Sequence, residues 1–290
     1  MFNLKNCQTN EPLAKHTTFG IGGPADYFFV AKSKAELVAA IRFARQNQLA
    51  HIVLGGASNI LVADKGWRGL VIKNQAQSTV FKTNLVEAES GVVLTQLVKA
   101  ALVKGLSGLE HFAGIPGSLG GALFNNAHYQ EYLIGDLVLK IEVLDQKNQR
   151  QTVLARDCQF AYEFSRFQKS GEIILQATLK LKPGDQAVME KTMQAAIDYR
   201  LNNHPQEKSI GCIFQNPPDR PAAELITAAG LKGRRVGGAM VSPKHAGFII
   251  NADRAKAADV LKLIAIIKQK IKVKFGIELK EEIFLIGDFE

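Results

Sequence analysis

The chain has 290 residues, 47% of them hydrophobic and 22% charged, with a mean hydropathy near zero, a balance that excludes disorder, collagen and long coiled coil and suits two or three packed domains. No run approaches the roughly 18 consecutive apolar residues of a membrane span, and the opening from Met1 to Gly20 lacks the apolar core and cleavage site of a signal peptide, so a cytoplasmic location without a membrane partner is expected. The net charge of +9 is spread along the chain, densest at Lys232–Arg235 and around Lys268–Lys274, without interleaved aromatics; a small anionic ligand is expected and nucleic acid is not.

Ser33-Lys34-Ala35-Glu36 is a capping box, and the apolar spacing of Leu37, Val38, Ile41 and Ala44 predicts a helix over 34–48 between strands at 25–30 and 51–54. A strand at 85–88 precedes a second helix carrying Leu94, Leu97, Val98, Ala101 and Leu102, closed by Gly105. Strands follow at 138–144 and 152–154. In 173–182, Ile173, Leu175, Ala177, Leu179 and Leu181 alternate with mostly polar neighbours, which predicts a strand buried on one face. A helix over 186–201 should bury Val188, Met193, Ile197 and Leu201, and His204-Pro205 then reads as a link to a new domain. The last 90 residues hold helices at 222–229 and 257–275 and strands at 247–251 and 282–286.

Three glycine-rich stretches could carry chemistry: Gly20 to Pro24, Leu54 to Asn59 and Ala113 to Ala122. Glycine lets backbone amides line a concavity that a pyrophosphate or flavin can approach. None matches Gly-x-Gly-x-x-Gly and no Gly-Lys-Ser/Thr is present, so neither the Rossmann nor the P-loop reading holds. The three cysteines, Cys7, Cys158 and Cys212, are odd in number and widely spaced, which fits neither a disulfide framework nor a zinc site; no metal is expected.

In order along the chain stand Pro12-Leu13-Ala14-Lys15-His16-Thr17-Thr18-Phe19, Ile21-Gly22-Gly23-Pro24-Ala25, Leu54-Gly55-Gly56-Ala57-Ser58-Asn59 and Ala113-Gly114-Ile115-Pro116-Gly117-Ser118-Leu119-Gly120-Gly121-Ala122. They continue as Gly211-Cys212-Ile213-Phe214-Gln215-Asn216-Pro217, Gly230-Leu231-Lys232-Gly233, Ser242-Pro243-Lys244-His245-Ala246 and Phe275-Gly276-Ile277-Glu278-Leu279-Lys280-Glu281-Glu282. This series resembles the UDP-N-acetylenolpyruvoylglucosamine reductase family over nearly the whole chain, in its shorter, second type. The resemblance implies an α+β protein with a two-part FAD-binding domain of the vanillyl-alcohol-oxidase type, divided as 1–80 and 81–200, and an α+β substrate-binding domain over 201–290. It implies NADPH as co-substrate, a UDP-linked enolpyruvyl sugar as substrate, and peptidoglycan precursor synthesis as the setting. No His or Cys occupies an attachment position in the 54–59 and 113–122 loops, so the FAD is expected to be non-covalent.

Carried onto this chain, the family's flavin contacts fall on Gly22, Gly23, Leu54, Gly55, Gly56, Ala57, Ser58, Asn59, Gly114, Ile115, Pro116, Gly117, Ser118, Gly120, Gly121 and Ala122. Glu282 matches the catalytic glutamate, with Glu281 as its one-place alternative, and Cys212 stands where the family has a proton-donating serine. Tyr162 falls in a segment that in the family reads Tyr-Arg-x-Ser-x-Phe, but here Glu163 occupies the arginine position, and Arg166 is taken as the replacement cation. Gln215, Asn216 and Lys232 are the expected substrate contacts, with Gln215 where a lysine is common. An oxidase of the same fold acting on an alcohol or sugar, and a flavin-free nucleotide-binding module, remain as alternatives at this point.

Overall fold

Ser33 begins the first helix as its side chain requires: the hydroxyl oxygen accepts from the Glu36 amide at 3.2 Å, while the Glu36 carboxylate accepts from the Lys32 amide at 2.7 Å, one residue ahead of the cap. In the computed structural model, which describes residues 2–289, this helix, α1 (Lys34–Gln46), buries Leu37, Val38, Ile41 and Ala44. The chain clusters into two compact units, each drawn from three stretches. The first is Met1–Gln8, Phe28–Gly56 and Leu70–Arg200; the second is Thr9–Tyr27, Ala57–Gly69 and Leu201–Glu290.

In the first unit the strand His51–Leu54 runs parallel to the longer strand Trp67–Asn74, pairing His51 with Leu70 and Leu54 with Lys73. The second strand has no polar alternation because Leu70, Val71 and Ile72 are all buried, as strands covered on both faces are. A five-stranded antiparallel sheet follows, in the order Arg150–Leu154, Val138–Leu144, Ile173–Lys180, Leu85–Glu89, Thr79–Lys82. One face carries α2 (Leu94–Val103) and α3 (Leu119–Asn125), whose apolar residues share one core with the sheet.

The central strand Ile173–Lys180 differs from its expected pattern, since Ile174 and Thr178 are buried as well as Leu175, Ala177 and Leu179. Its second face is covered: Lys34 of α1 reaches Glu142 at 2.6 Å and Gln176 at 2.7 Å, and the buried Ser90 hydroxyl donates to the Ile174 carbonyl at 2.7 Å. After a single turn, α4 (Phe167–Ser170), helix α5 (Gln186–Asn203) also differs in detail. Met189 and Ala196 are buried with Met193 and Ile197 packed beside them, while Val188 and Leu201 are 63% and 51% exposed. Positions 189, 193, 196 and 197 form one helical face, and 188 and 201 lie off its edges.

The second unit holds a four-stranded antiparallel sheet in the order Ser209–Cys212, Phe248–Asn251, Ala239–Val241, Arg235–Val236, with α6 (Ala222–Ala228) and α7 (Ala257–Phe275) sharing its core. Residues 9–27 and 57–69, which the linear division into 1–80, 81–200 and 201–290 assigns to the N-terminal part, cluster here. Strand pairing is the cause: Ile60–Val62 runs parallel to Phe284–Ile286, and Phe19, Ile21 and Leu61 lie in the same core as Ile267 and Ile271.

Helix α7 leaves its first amides without intrahelical partners. Asp64 fills two of them, its carboxylate oxygens accepting from Ala257 at 2.8 Å and Ala258 at 3.1 Å. Because Asp64 is exposed to solvent, its removal is expected to cost about 1 kcal/mol. Asp64→Ala should lower Tm by about 2–4 °C, and Asp64→Asn, which retains one acceptor, by less. Thermal denaturation followed by circular dichroism checks the order, and an unshifted Asp64→Ala would show that this remote cap contributes nothing.

Candidate functional site

In the first unit, two of the expected flavin loops meet backbone to backbone. Leu54 is buried at the end of its strand. A Cβ added to Gly55 would strike the Ser118 hydroxyl, and one added to Gly56 would strike the Cα of Gly117. The partner loop is sewn in place: Leu94 donates to the Gly117 carbonyl at 3.1 Å, Leu119 to Val92 at 2.8 Å and Gly120 to Ser90 at 2.8 Å. Gly114 and Gly117 hold φ of +78° and +121°, which side chains rarely adopt. Ser118 caps α3 by accepting from Gly121, Ala122 is buried behind it, and Ile115 packs on the core next to Pro116. The result is a surface made of backbone, where glycine-lined loops end at a helix start. Such a surface suits an anionic, flat cofactor, which needs close approach without side chains.

Glycines of the second unit have a different immediate task. A Cβ on Gly22 would press on Val62, and one on Gly23 would overlap the Asp64 carbonyl, while the Gly23 amide donates to Ala63 at 2.9 Å. These two residues therefore let residues 21–24 lie against residues 62–66. Ala57 has φ of +53° and its carbonyl accepts from Thr18; Ser58 follows, and Asn59 donates to the Glu282 carbonyl at 3.3 Å.

That last contact leads to the residues expected to react. Segment 209–215 lies between two others: Cys212 pairs with Phe248 on one side, and on the other the Glu282 amide donates to Ile213 at 2.8 Å and the Gln215 amide to Lys280 at 3.0 Å. Gly211, with φ of +84° and open space where a Cβ would stand, sits at the irregularity between Ser209 and Cys212. This register sets Cys212 and Glu282 on adjacent segments, both half-buried. Of the two neighbouring glutamates, Glu281 is held by Lys268 of α7 through both carboxylate oxygens, at 2.8 and 3.0 Å.

Of the expected substrate contacts in this unit, Asn216 caps α6 by accepting from Ala222 at 3.0 Å, and Gln215 is half-buried beside it. Lys232 stands in the turn after α6, exposed. Burial, reinforced by the Lys232 charge, holds the His245 imidazole below its ordinary pKa, and its Nδ1 accepts from Gly247 at 3.2 Å. His245 is thus a neutral packing residue that shapes the 242–247 turn.

Tyr162 and Arg166 belong to the first unit. Tyr162 is exposed at the tip of the tight turn Ala161–Phe164. Arg166 does not stand ready as a replacement cation: its Nε and Nη2 bind both oxygens of Glu172 at 3.0 and 2.8 Å, and Nη1 donates to the Asp157 carbonyl at 3.2 Å. All three nitrogens are engaged within its own loop, which makes Arg166 an anchor for residues 157–172. Sequence spacing gave no sign of this pairing, nor of Lys268 with Glu281. Burial pushes the thiols of Cys7 and Cys158 up to about 11, which keeps both protonated and unreactive at neutral pH.

The loop contact can be tested through its glycines. Gly56→Ala has to separate two backbones and is expected to lower Tm by several degrees, whereas Gly121→Ala, whose Cβ would meet only the Ser118 hydroxyl at 3.7 Å, should be tolerated. Equal Tm values for the two variants would contradict this packing.

Family comparison agrees with this arrangement. The sequence model described as "FAD binding domain" matches residues 25–153, and that described as "UDP-N-acetylenolpyruvoylglucosamine reductase, C-terminal domain" matches residues 203–286. A UDP-N-acetylenolpyruvoylglucosamine reductase of Carboxydothermus hydrogenoformans is 42% identical over 282 residues, covering 96% of this chain and 93% of the relative. One from Caldanaerobacter subterraneus subsp. tengcongensis is 40% identical over 281 residues, covering 96% and 93%. The crystal structure of UDP-N-acetylenolpyruvylglucosamine reductase from Thermus caldophilus superposes with a TM-score of 0.84 at 32% identity, covering 97% of this chain and 99% of that one. The α+β architecture, with an FAD-binding domain and a distinct C-terminal domain of the reductase family, is the one expected from the sequence. The chain belongs to the UDP-N-acetylenolpyruvoylglucosamine reductase family.

Proposed function

We propose that this protein reduces UDP-N-acetylglucosamine enolpyruvate to UDP-N-acetylmuramate with NADPH and non-covalent FAD, in the cytoplasm, where the product feeds peptidoglycan synthesis and hence cell shape and division. The observation that carries the reading is the pair of backbone hydrogen bonds, Glu282 to Ile213 and Gln215 to Lys280, that lays the segment bearing Glu282 against the segment bearing Cys212. These segments have the parts that reduction of an enol ether next to a carboxylate needs: a proton donor and a group to polarise the carbonyl side of the developing enolate. The backbone surface of Gly55, Gly56, Gly117 and Ser118 fits the cofactor, because the two loops can lie this close, with backbone facing outward, only where Gly55 and Gly56 carry no side chain. When bound, FAD supplies the hydride that NADPH delivers, and the carbon β to the carboxylate receives it.

This chain's own groups then handle the charge and the proton. The Cys212 thiol delivers a proton to the α carbon; a thiol, with an unperturbed pKa near about 8.5, gives up its proton with less assistance than an alcohol. Glu282, in its protonated form, donates a hydrogen bond to the enolate oxygen and so stabilises the charge before Cys212 neutralises it. Gln215, Asn216 and Lys232 line the approach of the UDP moiety, Lys232 supplying the positive charge that Gln215 cannot, and Tyr162 packs on the substrate from its turn. Arg166, paired with Glu172, is given no role in this reading.

Two experiments test the proposal. Anaerobic reduction by NADPH followed by reoxidation with the UDP-linked enolpyruvyl sugar should bleach and restore the flavin spectrum, and acid precipitation should leave the flavin in the supernatant. In stopped flow, Cys212→Ala and Glu282→Gln should leave reduction by NADPH nearly intact while slowing reoxidation by the sugar roughly 10²–10⁴-fold, and Cys212→Ser should retain measurable turnover. Reoxidation of Cys212→Ala at the wild-type rate would remove the thiol from the mechanism.

A further inference from the structure

Ser90 joins three segments of the first unit at one buried point. Its amide donates to the Leu175 carbonyl at 2.9 Å and its hydroxyl to the Ile174 carbonyl at 2.7 Å, which ties it to the central strand Ile173–Lys180. Its carbonyl accepts from the Gly120 amide, in the first turn of α3, at 2.8 Å. The hydroxyl oxygen also accepts from the side-chain amide of Asn74 at 2.8 Å, and Asn74 ends the strand Trp67–Asn74. Asn74 is buried as well, and its side-chain oxygen accepts from Ala76 at 3.0 Å. Donor and acceptor of both side chains are thereby engaged away from water, so neither can rotate without leaving a buried polar atom unpaired.

Two glycines show how closely these segments meet. A Cβ on Gly91 would stand 2.6 Å from the Ala76 amide nitrogen, and one on Gly120 would stand 2.8 Å from the Ser90 Cβ. With these contacts the first unit contains a closed circuit. The strand His51–Leu54 runs into Gly55 and Gly56, which lie against Ser118 and Gly117, and Gly120, two positions beyond Ser118, is hydrogen-bonded to Ser90. Ser90 is bonded to Asn74, and Lys73, next to Asn74, pairs with Leu54, where the circuit began. One link of that circuit joins two side chains, Asn74 to Ser90. The remaining links run through the main chain or pack against a glycine.

We propose that Asn74 and Ser90 are positioning residues for the cofactor, a buried pair that presets the 117–120 segment against Gly55 and Gly56 before binding. This rests on the flavin reading above. Both side chains lie in the interior, so their influence passes through the backbone that they fix. With the link cut, the two glycine loops sample other separations, and the apparent dissociation constant rises as the inverse of the fraction that stays competent to bind. A fall of that fraction to about one tenth raises it about tenfold.

Titration of the full-length, flavin-stripped protein with FAD, followed by the change in flavin fluorescence, tests this without relying on turnover. Asn74→Ala and Ser90→Ala are each expected to raise the FAD dissociation constant about tenfold or more. The double variant should bind within about twofold of the weaker single variant, because both substitutions cut the same link. Ser33→Ala, which removes the α1 cap and lowers stability by a similar amount, should bind FAD within about twofold of wild type, and so separates positioning from a general loss of stability. Should Asn74→Ala not fold, Ser90→Ala, smaller by one oxygen atom, carries the test alone. Wild-type affinity in a folded single variant, or an equal loss in Ser33→Ala, overturns the proposal, and additive losses in the double variant overturn the link between the two residues. A wild-type protein that takes up no FAD overturns the flavin reading itself, and the proposal with it.

Discussion

Two loops of the first unit approach more closely than side chains permit, and much of that unit is arranged to let them. Gly55 and Gly56 leave their strand directly into contact with Gly117 and Ser118, and the space a Cβ would need is already occupied by backbone or hydroxyl. Such contact leaves little apolar area to hold it, so the stabilisation has to come from flanking elements. The Ile173–Lys180 strand is buried on both faces, and the 117–120 segment is hydrogen-bonded to residues 90–94, which hang from the same sheet. The ordered core lies behind the loops, and the surface they form is of amides and glycine Cα atoms. Rigidity behind a side-chain-free face is what a flat anionic cofactor requires, since ordering floppy loops on binding would reduce affinity.

The second unit solves a different problem with strand register. Cys212 and Glu282 lie 70 positions apart in sequence, yet one backbone hydrogen bond from Glu282 to Ile213 sets them on neighbouring segments. A slip of one residue would exchange Glu282 for Glu281, and the ion pair from Lys268 opposes that slip because it holds Glu281 on the α7 side. At a partly exposed pair the energy is modest. Its value is directional: it ties the Glu281 carboxylate to the helix and so fixes the register of the segment.

Legibility in the sequence followed the kind of interaction involved. Helix α7 was legible to the residue because its apolar spacing and terminal Gly276 are local signals, and α1 because Ser33 and Glu36 announce it. The strand Trp67–Asn74 was not, because burial on both faces erases the alternation by which a strand is recognised. The face of α5 was misjudged at Val188 and Leu201, since apolar residues also lie beside the buried face formed by 189, 193, 196 and 197 and spacing does not separate the two. The membership of residues 9–27 and 57–69 depends on the parallel pairing of Ile60–Val62 with Phe284–Ile286, and pairing across more than 220 residues leaves no trace in local pattern. In the candidate site, motifs indicated Cys212 and Glu282, but the commitment of Arg166 to Glu172 and the approach of His128 to Glu163 are tertiary facts.

The three cysteines show why residue type alone does not define a proton donor. Burial holds the thiols of Cys7 and Cys158 near 11, so both retain their protons, yet a group that retains a proton so firmly is poorly matched to deliver one near neutral pH. Cys158 is fully buried, its Sγ donating to the Leu154 carbonyl, where no substrate could reach it. Cys212 differs in position: it ends a strand just after the irregularity at Gly211, is half-buried, and has the carboxyl-bearing segment 280–282 on its far side. Delivery requires access as well as a proton, and the open space at Gly211 supplies access that a regular strand with a side chain there would close. In the proton-donor role proposed for Cys212, the glycine before it is as much a part of the unit as the thiol, and the two belong together for a physical reason that the motif by itself does not state.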